Sequence, residues 1–284
     1  MTQKLVMIPQ PQPWESPSSW VSRCALSQGV PTNEFLRHLD VDASGDIDLN
    51  VIRADQKRLT DVCGLPSDYL PLSRLLLPRL VSAGVDTRRF LLSSTKGAKP
   101  RYRFCPHCLQ DQREPHFPVH WRFTGFRYCK LHHCMLEDRC HVCNSTVTMP
   151  ANQMQAGPDG KGIAYLKHCM SCGADLCKGS TLSTGEAFSL LSVMERTLMV
   201  NGLAVLRALL EGYLFRDTAE KKLPLSTLCR LDQQLLLPNQ ENWLTVAILR
   251  GRLLQRIRRR AIERQAFRSE HTEPDQGDEA SGEY

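Results

Sequence analysis

Twelve cysteines stand in this 284-residue chain, and eight of them fall between residues 105 and 172. They are not scattered. Cys105-Pro-His-Cys108, Cys129-Lys-Leu-His132, Cys140-His-Val-Cys143 and Cys169-Met-Ser-Cys172 are four short motifs, each with two residues between potential ligands. A two-residue gap lets both side chains of such a knuckle turn toward one point. Four donors around one point is the tetrahedral arrangement that zinc takes, at ~2.3 Å for sulfur and ~2.0–2.1 Å for nitrogen. Soft thiolates with at most one imidazole favour zinc over the hard cations. Iron–sulfur binding is disfavoured by the imidazole and by the lack of a tight three-cysteine run. The expectation is two Zn2+ per chain.

Taking the knuckles in order gives one site from Cys105, Cys108, Cys129 and His132, and a second from Cys140, Cys143, Cys169 and Cys172. The alternatives are interleaved pairing, Cys134 in place of His132, and Cys177 in place of Cys169. Both sites are filled by protein donors, whereas a catalytic zinc keeps a position for water. No His-Glu-x-x-His, no deaminase-like His-x-Glu and no Walker A sequence occurs. The metals are therefore expected to be structural and the chain not to be an enzyme. Binding them would supply folding energy to a strip, residues 99–180, that has few helix-length apolar patterns.

A reducing cytoplasm disfavours structural disulfides, so thiols packed this closely point to metal there. The first thirteen residues hold one lysine, a short apolar stretch from Leu5 to Ile8 and three prolines. A secretory signal needs a longer apolar region. No apolar run approaches the ~20 residues that span a bilayer. A cytoplasmic protein without a membrane segment is expected.

The formal charge of +6 is unevenly placed. Residues 269–284 carry six acidic residues and no Lys or Arg, and read as a disordered acidic tail. The remaining body is more basic than the total, which biases it toward polyanions, DNA first among them. Seven thiolates with two Zn2+ would offset part of this, so the charge has to be read locally. Around the first two knuckles Arg101, Arg103, Arg122 and Arg127 are candidate phosphate contacts. The interleaved Tyr102, Phe104, Phe117, Trp121, Phe123, Phe126 and Tyr128 are expected mainly to form the small core around the knuckles.

The flanks read as helical. Ser16 caps a run that begins with Pro17, carries Trp20, Val21, Cys24 and Ala25, and stops at Gly29. Thr32 is placed to cap a second helix with Phe35, Leu36 and Leu39. Two helices about a tight glycine turn fit a helix-turn-helix, whose second helix would offer Asn33, Arg37 and His38 to DNA. Leu59, Val62 and Cys63 make a further stripe ended by Gly64; Ser67 is placed to cap the helix that follows, which Pro71 breaks or enters as a late first turn. Residues 93–100 look like a linker and 150–162 like a loop. After the knuckles, Ser183 or Thr184 opens a helical run through Phe188, Leu191, Met194 and Leu198. Helices over Leu203–Phe215, Leu225–Leu237 and about 241–268 are expected to follow. The last carries Arg256, Arg258, Arg259 and Arg260 as candidate nucleic-acid contacts.

The expected fold is thus mostly α with small zinc-finger modules. A helix-turn-helix region occupies 1–98, two zinc fingers 99–180, a helical region 181–268 and the tail 269–284.

Three stretches together resemble the TniQ/TnsD family of transposon targeting proteins. They are Trp14-Glu-Ser-Pro-Ser-Ser-Trp-Val-Ser-Arg-Cys-Ala25, Leu59-Thr-Asp-Val-Cys-Gly-Leu65, and the series Arg103-Phe-Cys-Pro-His-Cys-Leu109, His120-Trp-Arg122, Cys129-Lys-Leu-His132, Leu136 and Cys140-His-Val-Cys143. The resemblance implies a non-catalytic adaptor in transposition, linking target DNA or a CRISPR effector complex with guide RNA to an AAA+ ATPase regulator of the TnsC/TniB kind. It also implies dimers in several members. The sequence departs from the family in having Cys140-His rather than Cys-Pro, a long gap before Cys169, and a short C-terminal part beside members that read a fixed DNA site. A free-standing transcription regulator that uses the same helical hairpin at an operator is the competing expectation.

Overall fold

The computed structural model describes residues 4–95, 98–191, 203–216 and 221–229. Within them helices α1 (Pro17–Gln28), α2 (Thr32–His38), α3 (Ile47–Arg53), α4 (Gln56–Cys63), α5 (Pro71–Ser82) and α6 (Thr87–Phe90) precede the cysteine-rich strip. That strip holds α7 (Pro106–Asp111), and α8 (Thr184–Ser189) follows it. Three two-stranded antiparallel sheets complete the fold: β1 (Arg101–Tyr102) with β4 (Val147–Thr148), β2 (Tyr128–Cys129) with β3 (Cys134–Met135), and β5 (Tyr213–Arg216) with β6 (Lys221–Pro224). The described residues are mostly helical with small sheets. None of their helices is long and apolar enough to cross a membrane.

Helix α1 begins and ends on the expected signals. The Ser16 hydroxyl accepts from the Ser19 N–H, Pro17 occupies the first turn, and Gly29 closes the helix at φ 65°. An L side chain adopts that left-handed conformation only at a cost, which is why glycine stops the helix there. Helix α2 differs from expectation at its start. Pro31 holds the cap position with no side-chain bond, and Thr32 lies inside the helix; the proline ring already fixes the φ that the entry needs. Helix α4 ends at Gly64 as expected. Ser67 does not cap α5, which starts at Pro71 after Leu70 at φ 49°.

Helix α3 had no counterpart in the apolar pattern. Asp46 caps it through the Leu49 N–H, and Ile47, Leu49 and Val51 bury themselves. Ser93 and Pro100, near the two ends of the stretch expected to be a linker, are bridged to each other. Ser183 does open α8, in a reciprocal capping box with Glu186. Beyond it the helical expectation for Leu203–Phe215 fails after residue 211: Gly212 takes φ 87° and a β-hairpin follows. Glycine in that conformation ends a helix, and Tyr-Leu-Phe then suits a strand. Met194, Leu198, the end of the Leu225–Leu237 run, the helix expected at 241–268 and the acidic tail lie outside the described residues.

Two apolar clusters organise the molecule. One gathers Trp20, Phe35, Leu36, Leu39, Ile47, Val51, Leu59 and Leu70 from the first helices. Trp20 meets Phe35 edge-on at a centroid distance of 6.4 Å and donates its indole N–H to the Pro9 carbonyl at 2.9 Å. The other crosses residue 98. It packs Leu76, Leu77, Leu80, Phe90 and Leu91 against Tyr102, Phe104, Phe117, Trp121 and Phe123. Those aromatics are buried, as expected of a core around the knuckles.

A buried polar network also ties α1 to the cysteine-rich strip. Ser16, Ser18, Ser19 and Ser22 are all fully buried. The Ser18 N–H donates to Asp48 at 2.8 Å, and the Tyr102 hydroxyl donates to the same carboxylate. The Ser19 hydroxyl donates to Glu15 at 2.9 Å and accepts from the Phe117 N–H at 2.9 Å. Ser22 accepts from the Ala151 N–H at 2.8 Å. Burial pushes the Glu15 carboxyl up to about 7, against the opposing pull of Arg23 at 2.6 Å.

Candidate metal centres

The first knuckle is built at a helix start. Cys105 is the cap of α7, its sulfur accepting the Cys108 N–H at 3.4 Å, with Pro106 in the first turn. The second knuckle spans the β2–β3 turn, where the His132 N–H points at the Cys129 sulfur at 3.4 Å. In the third the Val142 N–H donates to the Cys140 sulfur at 3.4 Å. Such N–H groups favour thiolate, the form that binds metal. Directly after the second, third and fourth knuckles the chain turns through a left-handed residue: His133 at φ 48°, Asn144 at φ 60° and Gly173 at φ 76°. That reversal aims both donors of a knuckle the same way.

The four knuckles pair in chain order. Donor atoms of Cys105, Cys108, Cys129 and His132 all lie within 4.8 Å of one another, and so do those of Cys140, Cys143, Cys169 and Cys172. In the first cluster Cys108 lies 3.6 Å from Cys129, and His132 Nδ1 lies 3.6, 3.2 and 3.6 Å from the sulfurs of Cys105, Cys108 and Cys129. In the second, Cys140 is 3.7 Å from Cys172 and Cys143 is 3.5 Å from Cys169. At tetrahedral angles, sulfurs at ~2.3 Å from an ion stand ~3.8 Å apart, and a nitrogen at ~2.0–2.1 Å stands ~3.5 Å from each of them. The separations fit those figures to within a few tenths of an ångström, so each cluster can hold one metal ion. Cys134 and Cys177 stand outside these sets among the described residues.

His132 offers Nδ1 to the sulfurs while its Nε2 reaches Asp111 at 2.9 Å. A carboxylate on the far nitrogen fixes the ring and strengthens the near nitrogen as a donor. Asp111 was missed in the sequence, although it lies three residues past Cys108 on the same short helix. S–H groups of Cys105 and Cys108 beside Cys129 hold its thiol well below the usual range, so the cluster favours one thiolate from the start. Each cluster brings four protein donors together.

The nucleic-acid candidates fare differently from one another. Asn33, Arg37 and His38 are exposed on α2, with Glu34 on the same helix. Arg101 is partly exposed and paired with Asp138 at 3.3 Å. Arg103, Arg122 and Arg127 are interior residues, a correction to their reading as phosphate contacts. Arg103 gathers the carbonyls of Phe123, Thr124 and Phe126 at 2.9–3.2 Å. Arg122 is locked between Asp46 and Asp48. The aliphatic stems and planar heads of these side chains serve the packing of the strip. Arg256, Arg258, Arg259 and Arg260 lie outside the described residues.

Beside the first cluster a groove of about 880 Å³ is lined by Trp14, Trp121, Phe126, Tyr128, Leu131 and Leu206 among others. Leu131, between the two donors of its knuckle, is 74% exposed.

A search of curated proteins finds no match to the chain. A family model, TniQ, matches residues 6–136, a span that takes in the buried serine-rich helix α1 and the whole first cluster and stops just short of Cys140. Over residues 6–136 this chain is similar to the TniQ family.

Proposed function

We propose that this protein is a non-catalytic target-selection adaptor in DNA transposition. In this reading it links target DNA, or an RNA-guided CRISPR effector complex, to an AAA+ ATPase regulator of the TnsC/TniB kind. The TniQ match associates the chain with transposition and carries the reading. Two observations support it. Each cysteine cluster is closed by four protein donors, which suits a scaffold better than a hydrolytic centre. The surface also offers separate contacts, polar on α2 and apolar in the groove beside Leu131.

The metals are taken to be two structural Zn2+, on the strength of seven thiolates and one imidazole at tetrahedral spacing. Cys105, Cys108, Cys129 and His132 would hold one, and Cys140, Cys143, Cys169 and Cys172 the other. Bound zinc would supply charge neutralisation and cross-linking of the strip. Asp111 orients His132, and the buried Asp48–Arg122 pair fastens the strip to α1 and α3. The helical hairpin α1–α2 would act as a helix-turn-helix, and the working unit would be cytoplasmic and capable of dimerising.

Co-purification tests the reading. The full chain, loaded with zinc, is offered target DNA, an RNA-guided effector complex and an AAA+ ATPase regulator of the TnsC/TniB kind. Retention of the ATPase together with DNA or the effector complex is expected. Failure to bind any of the three would overturn the proposal, and tight binding to one operator with no ATPase association would favour a transcription regulator.

A further inference from the structure

We propose that Cys134 is a reserve ligand of the first metal centre: when His132 leaves the ion, the Cys134 thiolate closes the vacant corner. This rests on reading that cluster as a zinc centre. Five donors crowd around four positions there. The Cys134 sulfur lies 3.6 Å from that of Cys105, the same separation that Cys105 keeps from His132 Nδ1. It is thus already at ligand-to-ligand spacing from one corner of the tetrahedron. Its backbone is fixed by pairing with Cys129 across β2 and β3, so it belongs to the hairpin that carries the second knuckle. It is buried, which keeps water from competing for the place.

His132 is one of the two donors of the cluster that are not buried, the other being Cys108. Its side chain is 20% exposed, and the Asp111 carboxylate that steadies it is 66% exposed. Cys105, Cys129 and Cys134 are buried by contrast. The second centre is made of four cysteines; among the described residues the nearest spare thiol in sequence is Cys177, whose backbone N–H is held by Asp175 at 2.9 Å.

The exchange balances. The bond from the ion to Nδ1 of His132 breaks and a bond to the sulfur of Cys134 forms. The thiol proton of Cys134 passes to the released imidazole. Three thiolates with a neutral imidazole become four thiolates with an imidazolium, and the total charge is unchanged. An adaptor with such a centre can have the His132–Asp111 surface engaged by a partner without losing its ion.

The test uses the full chain loaded with Co2+, whose thiolate-to-metal charge-transfer band grows with the number of sulfur ligands. Wild type has seven such sulfurs over two ions. His132→Ala is expected to keep two ions per chain and to raise the band by one sulfur. The double variant His132→Ala/Cys134→Ser is expected to keep one ion. A His132→Ala chain that fails to fold, drops to one ion, or holds two ions with an unchanged band overturns the proposal. Cys134→Ser alone supplies a second measurement in an otherwise intact chain. It should keep two ions and lose the first to a chelator several-fold faster than wild type, while the second leaves at the wild-type rate. Equal loss rates for the first ion overturn the proposal. A wild-type chain that takes up no ion at the first cluster removes the zinc reading itself, and this proposal with it.

Discussion

The Arg122 guanidinium donates to the Asp48 carboxylate at 2.8 Å, and neither side chain has any solvent exposure. Asp48 belongs to α3 and Arg122 to the 3-10 turn between the first two knuckles, so the pair crosses from the helical part of the fold into the metal-binding strip. The same carboxylate accepts from the Ser18 N–H of α1 and from the Tyr102 hydroxyl of β1. Burial disfavours the Arg122 charge, but Asp48 and Asp46 outweigh it and keep the guanidinium ionised.

Arg122→Ala would leave two carboxylates without their cation, one of them fully buried. Removing one partner of a buried pair typically costs ~3–5 kcal/mol. A large drop in the denaturation midpoint at pH 7 is expected, measured on zinc-loaded protein. If stability were unchanged, the pair would not be what joins the two parts.

Cys105→Ser and Cys140→Ser each remove a donor from a different cluster. Each variant should bind one zinc rather than two by metal analysis. Each should also lose the protease resistance of the strip around its own knuckles, because metal binding there is folding energy. Two zincs per chain in either variant would contradict the ligand assignment.

Asp111 does not touch the ion's place, yet it holds Nε2 of His132 at 2.9 Å. Asp111→Ala should weaken metal affinity at the first centre by ~10–100-fold. Chelator competition followed centre by centre would read this, with the four-cysteine centre as the internal reference.

His120 gives an acid-side prediction. Its ring lies among Trp14, Trp121 and Phe126, with centroids 5.4, 6.3 and 4.7 Å away. Burial pushes its pKa down to about 4 from the ordinary 6.5. The unfolded chain therefore binds a proton that the folded chain refuses between these values. Its contribution is fully present above pH 6.5 and is lost as pH falls through about 4, amounting to no more than ~3 kcal/mol. His120→Phe should flatten the wild-type fall in stability between pH 6.5 and 4. A difference between the two proteins that stays constant over that range would refute the assignment.

Arg37→Ala changes an exposed residue of α2 outside both apolar clusters. If this helix meets DNA backbone, affinity should fall and the salt dependence of binding should become shallower by about one counter-ion. Binding that is identical at every salt concentration would assign the α2 face to another partner.

The sequence alone determined the two sets of candidate metal donors and both ends of α1. A two-residue gap between donors is a local constraint, and so is a serine before Pro17 or a glycine after Gln28, so each could be recognised without knowing the rest of the chain. Tertiary structure decided what the polar residues do. Ser16, Ser18, Ser19, Ser22 and Arg122 have the composition of a surface, yet they are buried because Asp46, Asp48, Tyr102, Phe117 and Ala151 meet them from distant parts of the chain. Arg103 likewise has the sequence context of a phosphate contact, yet three backbone carbonyls surround its guanidinium. Whether a charge faces water or a partner depends on contacts tens of residues away, and neither residue type nor periodicity encodes that.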